Sequence, residues 1–271
     1  PDFMYADAFF PGSTTYLMAG LEVPGKIPNI ASLRKGSVGG ELSRLRTALR
    51  SLLKMSYFIT SEMGSDLNRT QLNGTLPVLY VFLARAGKTI EEVSLVTVTN
   101  DGQLQPAADN DPKGQPKGTK IVFKGPEGKP QTIYYFSTNL ANNGVASSGF
   151  IKWAETFGQG EAFVKSASYL LHNSEFSKVR DFLLKVSNTI VQDDTGVPLR
   201  YLEQAGYQVQ PFGNYVGPIP VFSGQYQAKL KDLFKQAKAQ PISFGVGYRW
   251  RLNQSHVLLA TKKDLKAESK P

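Results

Sequence analysis

A chain of 271 residues with 41% hydrophobic, 20% charged and 11% aromatic side chains can bury roughly three quarters of its unfolded surface, which excludes a disordered tail. Thirty-one Lys plus Arg against 22 Asp plus Glu leave a formal charge of +9, which favours acidic partners without selecting among nucleic acid, anionic lipid and acidic polysaccharide. Zero cysteines exclude disulfides, thiolate zinc sites, iron–sulfur clusters and a cysteine nucleophile, and two distant histidines, His172 and His256, exclude a two-His zinc helix.

The first thirty residues combine an aromatic and acidic turn, "PDFMYADAFF", with an apolar run, Tyr16–Val23, that reads as a buried strand between Gly12 and Pro24. Residues 33–63 read as the longest helix, with Leu42, Leu45, Leu49, Leu52, Leu53, Ile59 and Met63 near the 3.6 period and Gly64 as its cap. Arg46, Arg50 and Lys54 form one basic stripe on it, a solvated face in the plain reading. "LPVLYVFLARAGK" and "EEVSLVTVTNDGQ" read as a strand pair, and residues 103–118, rich in Pro, Gly and Asp, as an exposed loop. A strand, a Gly/Pro turn and another strand follow over 119–140.

The second half alternates helices and strands. A short helix near 149–157 and an apolar segment 162–171 precede a helix over 174–191, with Phe176, Val179, Leu183, Val186 and Ile190 on one face and Asn173 or Ser174 as N-cap. "QDDTGVP" stops that helix, because Gly196 and Pro198 cannot continue it. A Tyr- and Gly-rich loop spans 207–226, a helix 225–238, and a terminal hairpin pairs "ISFGVGYRWRL" with "SHVLLATKK". The tail 264–271 lacks core residues and is expected to fray. The pattern predicts one α/β domain over 1–271: a mixed β-sheet with packed helices and local hairpins, as a two-layer or three-layer sandwich.

Among candidate chemistries, Asp194-Thr195-Gly196 matches the aspartic-protease turn, but no second copy exists in the chain and the triplet ends a predicted helix. Asp193 and Asp194 could instead share a cation, hold a pair of sugar hydroxyls, or cap local backbone amides. The pair lacks the further oxygens that calcium wants, so no metal and no cofactor are predicted. His172, at a helix N-terminus, is the better general-base candidate, whereas His256 reads as an edge-strand surface residue. No G-x-S-x-G elbow occurs, and Gly36, Gly39 and Gly40 match no phosphate loop.

Aromatic residues, 16 Phe and 12 Tyr, are denser than folding alone requires. Near carboxylates and amides they suit a small polar or glycan-like ligand. The expected site combines Tyr5, Tyr201 and Tyr215 as stacking rings, Asp7, Asp193 and Asp194 for hydroxyls with Asp2 beside them, and Arg200 for an anionic group. Nucleic acid is disfavoured, because the basic residues lie on helices away from the aromatics, apart from Arg249 and Arg251 around Trp250. Two alternatives stand beside this reading. One is a metal-independent hydrolase using His172, Asp193 or Asp194 as base, and the other an envelope protein that meets anionic polymer through Arg46, Arg50 and Lys54.

The longest apolar runs, such as Leu76–Ala84, fall short of the ~20 residues that span a bilayer. A start at Pro1 without basic or apolar leader regions is expected to follow removal of a secretory leader. Together with the absence of cysteine this suits a periplasmic or extracellular location. At "PDFMYADAFFP", "KSASYLLH", "IVQDDTGVPLRYL" and "FGVGYRW" the chain resembles an uncharacterised family of exported bacterial proteins, over most of its length. The resemblance implies bacterial origin and export, and it carries over no activity and no catalytic residue.

Overall fold

Pro11 and Gly12 are the first strong helix breakers in the chain, and the residues before them form helix α1 (Asp2–Phe9) rather than the expected turn. Phe3 is its buried anchor, edge-on to Tyr16 at 5.2 Å and to Phe123 at 6.0 Å. The computed structural model describes residues 2–28, 73–108, 116–125, 127–165 and 167–263, together with helical positions scattered over 39–49. Most of the predicted helix 33–63, the middle of the loop 103–118 and the tail 264–271 lie outside the described residues. The chain divides into two compact units, residues 3–156 and 157–271.

In the first unit, β1 (Thr15–Gly20) is the expected strand, but it lies at a sheet edge with only Tyr16 fully buried, and Leu21 and Val23 beyond it are exposed. The run from Leu76, read above as a strand, is helix α2 (Leu76–Arg85). Pro77 explains the correction: in the first turn of a helix its missing N–H costs nothing, whereas in a paired strand it would break the ladder. Leu76, Val78, Leu79, Phe82 and Leu83 are all buried, so the helix is apolar around most of its circumference and shows no period.

The partner in that predicted pair is a strand, β2 (Thr89–Val98). After it come β3 (Leu104–Pro106), β4 (Lys117–Lys124) and β5 (Pro130–Ser137), in the order β1-β5-β4-β2-β3. Among the described strands of this sheet only the β1–β5 contact is parallel. Helices α3 (Asn142–Ser147) and α4 (Phe150–Glu155) follow, the second seating Trp153 against Phe136 at 4.9 Å and Tyr134 at 5.3 Å.

The second unit contains β6 (Gly160–Lys165), α5 (Ser177–Val186), β7 (Ser187–Gln192), α6 (Leu199–Gln204), β8 (Tyr207–Gly213), α7 (Ala228–Ala237) and β9 (His256–Lys262). Its sheet runs β6-β7-β9-β8, with β6 and β7 parallel and the rest antiparallel. Three expectations change here. The helix predicted over 174–191 stops at Val186 and becomes β7 without a turn, because "SNTIV" carries the β-branched residues that pack on a pleated surface. Asn173 does cap, its side chain accepting the Glu175 N–H at 2.9 Å, but the element it caps is a 3-10 turn ahead of α5. The first part of the loop 207–226 is β8. Lastly, β9 pairs with β7 and β8 rather than with residues 242–252, which form a tight loop. A Cβ on Gly245 would lie 2.0 Å from the Trp250 carbonyl oxygen. Both sheets are mixed and carry packed helices, an α/β architecture as predicted.

Charge is buried inside the first unit. Lys88 Nζ lies 2.9 Å from Asp7 Oδ1, with side chains only 6% and 14% exposed, and donates to Gln131 Oε1 at 3.0 Å. The Tyr16 hydroxyl donates to the same carboxylate at 2.9 Å. Removing one partner strands the other in apolar surroundings. Lys88→Ala is therefore expected to lower unfolding free energy by about 3 kcal/mol, and Asp7→Ala added to it to cost far less than Asp7→Ala alone. Urea denaturation of the two single variants and the double variant measures this, and additive losses would refute the coupling.

Candidate functional site

The end of β7 carries the most concentrated polar chemistry in the second unit. Gln192 closes the turn after it: its amide donates to the Val197 carbonyl at 2.7 Å, and its Oε1 accepts the Val197 N–H at 2.8 Å. Glycine is required at 196, because a Cβ there would lie 2.2 Å from Gln192 Oε1. Asp193 accepts the Thr195 N–H at 2.9 Å and the Thr195 hydroxyl through one oxygen, so it does cap its own turn.

Asp194 does more. Its Oδ2 accepts the Tyr169 hydroxyl at 2.7 Å, and its Oδ1 lies 3.2 Å from His256 Nε2. Its backbone N–H points at the same nitrogen at 3.1 Å, while His256 Nδ1 faces the Gln254 carbonyl at 3.3 Å. A neutral ring protonated on Nδ1 accepts the Asp194 amide at Nε2, whereas a doubly protonated ring donates from Nε2 to Oδ1 and no longer accepts that amide. The Asp194 carbonyl accepts from Gln227 Nε2 at 3.4 Å and lies 3.1 Å from His172 Nε2.

Asp193, Asp194 and His256 are 2%, 3% and 1% exposed. Burial, followed by the charge of Asp194, pushes the Asp193 carboxyl up to about 6, against His256 and the Thr195 hydrogen bonds. Burial acts downward on His256, but its hydrogen bond to Asp194 and the two carboxylates together hold it above its ordinary value. Burial pushes His172 below its own. The edge-strand reading of His256 is thereby corrected: β9 lies between two neighbours, and the imidazole sits edge-on to Tyr215 at 5.1 Å and to Phe234 at 5.8 Å. The aspartic-protease match is changed too. Asp194-Thr195-Gly196 follows a strand rather than a helix, but the partner of Asp194 is an imidazole rather than a second carboxyl.

Toward the surface, Tyr169 packs on His172 at 5.0 Å, Phe222 at 5.0 Å and Tyr248 at 6.2 Å, and Phe222 stacks on Tyr248 at 5.5 Å. Phe222 and Tyr248 are half-buried, and Val221 and Tyr226 beside Phe222 are exposed. Tyr201 is half-buried, and its ring lies 3.9 Å from the Arg180 guanidinium carbon and 4.7 Å from that of exposed Arg200.

Of the residues expected from sequence, Asp193, Asp194 and His172 come together, and Arg200 and Tyr201 share a contact. Tyr215 lies in this unit but is wholly buried, stacked on Tyr226 at 6.1 Å, so its ring offers no face to a ligand. Tyr5 and Asp7 belong to the first unit, where Tyr5 stacks on Phe9 at 6.5 Å and Asp7 is held by Lys88. The side chain of Asp2, and Arg50 and Lys54 of the basic stripe, lie outside the described residues, whereas Arg46 is exposed on helical backbone. Tyr169, Tyr248 and Arg180 were missed; Tyr169 is signalled only by its place three residues before His172. Among the described residues no three His, Asp or Glu side chains converge as metal ligands, and no helix is long and apolar enough to cross a membrane. Comparison with protein-family models, with curated proteins and with solved structures finds no match.

A carboxyl whose folded value lies above its unfolded one holds its proton more tightly in the fold. Its stabilisation is complete below the unfolded value and lost as pH rises through the folded one. For Asp193 that window runs from 3.8 to about 6; for His256 it begins above 6.5. His172, lowered, acts in the opposite sense below 6.5. Asp193→Asn keeps the acceptor for Thr195 and removes the first window. Its stability relative to the natural chain should climb as pH rises from 3.8 to about 6 and then level off. Urea midpoints across that range test this, and a pH-independent difference rejects it.

Proposed function

We propose that this is an exported bacterial protein whose second unit binds a small polar, glycan-like ligand on the half-buried rings of Phe222 and Tyr248, which the buried Tyr169 supports from beneath. The observation that carries the reading is the double role of Tyr169. Its ring packs into the surface aromatics, while its hydroxyl is fixed by the Asp194 carboxylate beneath at 2.7 Å. Rings held rigidly by a buried network lose little freedom when the C–H face of a sugar packs on them. Besides burial, which lowers it, the proton affinity of His172 is raised by Gln225 and lowered by the charge of Arg200, and these three residues supply the polar groups that would read hydroxyls.

A hydrolase is the second reading. It is favoured by Asp193, whose carboxyl is pushed up to about 6 with the Thr195 hydroxyl against it, in the range where a general base works at neutral pH. It needs the 192–197 turn to open, because Asp193 and Thr195 are buried.

Calorimetric titration of the full chain with gluco-oligosaccharides, both neutral and acidic, tests the binding reading. Phe222→Ala should weaken binding about 10-fold, the worth of one packed ring, and should scarcely move the melting temperature. No binding to any oligosaccharide, or equal affinity in the variant, would refute the assignment. Turnover of chromogenic esters or glycosides that is lost in His172→Ala would instead favour the hydrolase.

A further inference from the structure

We infer that Arg180 and Arg200, gathered on the ring of Tyr201, form a receptor for an anionic oxygen group, and that the ligand is therefore an acidic sugar. The inference rests on the binding reading above and adds to it the chemical class of the ligand.

Arg180 projects from α5, and its side chain is 6% exposed. A guanidinium does not shed its proton, so a buried one needs a countercharge. Its surroundings provide dipoles and a π face instead. Nη1 donates to the Leu171 carbonyl at 3.0 Å and to the Asn173 carbonyl at 3.4 Å, the group lies over Tyr201, and among the described residues Nε has no hydrogen-bond partner. Among the described residues the nearest carboxylate oxygen, on Asp181, is 3.9 Å from Nε and belongs to a side chain that is 71% exposed.

Arg200 approaches the same ring, and its Nη2 donates to the Tyr201 hydroxyl at 3.2 Å. Among the described residues it meets no carboxylate. Two positive charges thus share one aromatic ring, one of them sealed in and the other open to solvent. Leu171 and Asn173, whose carbonyls Arg180 holds, flank His172 in sequence. His172 in turn packs on Tyr169, so the cationic cluster continues into the aromatic surface. Asp194, the carboxylate behind that surface, is already engaged by Tyr169 and His256.

A carboxylate or phosphate offers a pair of oxygens to the free edge of Arg200, within the field of Arg180, and a sugar ring attached to it would extend over Phe222 and Tyr248. A uronic acid and a sugar phosphate share this chemistry.

The test is calorimetric titration of the full chain with a glucuronate oligomer, glucose 6-phosphate and a neutral gluco-oligomer. The acidic probes should bind at least about 10-fold more tightly than the neutral one, and the stronger of the two names the anion. Arg200 is exposed, so Arg200→Gln should fold normally and bring the acidic probes down to the affinity of the neutral one in the same variant. Arg180→Lys, which keeps the charge and loses the fork, should reduce the preference partially. Neutral and acidic probes binding equally, or a preference that survives Arg200→Gln, would overturn the inference and leave sugar binding standing. Failure of all three probes to bind would overturn both.

Discussion

The contact between Asp194 and His256 is the constraint on which the second unit is organised. It joins the turn after β7 to the first residue of β9, two strands that already pair, and places a carboxylate and an imidazole where water does not reach. Burying such groups is costly unless every polar atom finds a partner. The arrangement around them meets that demand: Tyr169 on one carboxylate oxygen, His256 near the other, and Gln227 on the Asp194 carbonyl. Tyr169, Tyr215 and the Gln192 clamp are best understood as the supports this contact needs. Change the protonation of the cluster and these supports are loaded differently, which ties the stability of the unit to pH through groups buried from solvent.

That closure also divides the chemistry by depth. The acids and the stronger imidazole lie inside with Tyr169 and Arg180, while Phe222 and Tyr248 are half-buried and Arg200 is exposed. An active site that uses Asp193 or Asp194 directly has to break the Gln192–Val197 clamp first. Binding at the aromatic surface needs no such step, and this is why the geometry favours recognition over hydrolysis. Catalysis through His172 alone is less constrained, because it is half-buried, but burial lowers its affinity for a proton and its Nε2 already faces the Asp194 carbonyl.

Periodicity and turn chemistry made much of the architecture legible, and failed where two signals competed. The strands β4 and β5 were readable because a Gly/Pro turn separates two β-branched runs. Helix α2 was not, because "LPVLYVFLA" is apolar on nearly every side and shows no period; only Pro77, tolerated in a first turn, marks it. The junction of α5 and β7 was missed because no breaker separates them, and Ile190 continues the helical spacing by coincidence. Asp193 and Asp194 were found from their adjacency, yet the more telling partner, His256, looked like a surface residue. Strand order, which puts β9 in the interior, is set by long-range pairing that a local reading does not contain. The same limit hid Arg180, whose charge draws notice only once burial and the ring of Tyr201 are known.

The two units handle a buried cation differently, and the contrast bears on function. In the first, Lys88 has the Asp7 carboxylate at 2.9 Å, a Gln131 acceptor at 3.0 Å and the ring of Phe123 at 5.8 Å. Its countercharge is internal and complete. In the second, among the described residues, Arg180 has carbonyl acceptors and a ring but no carboxylate closer than 3.9 Å, and Nε goes unmatched. A folded chain that needed Arg180 only for packing could replace it by an apolar residue of similar volume with little loss, since a buried charge seldom outperforms a hydrophobe in stability. A guanidinium there, with a second one at the surface on the same ring, is the arrangement that the proposed anionic ligand would complete.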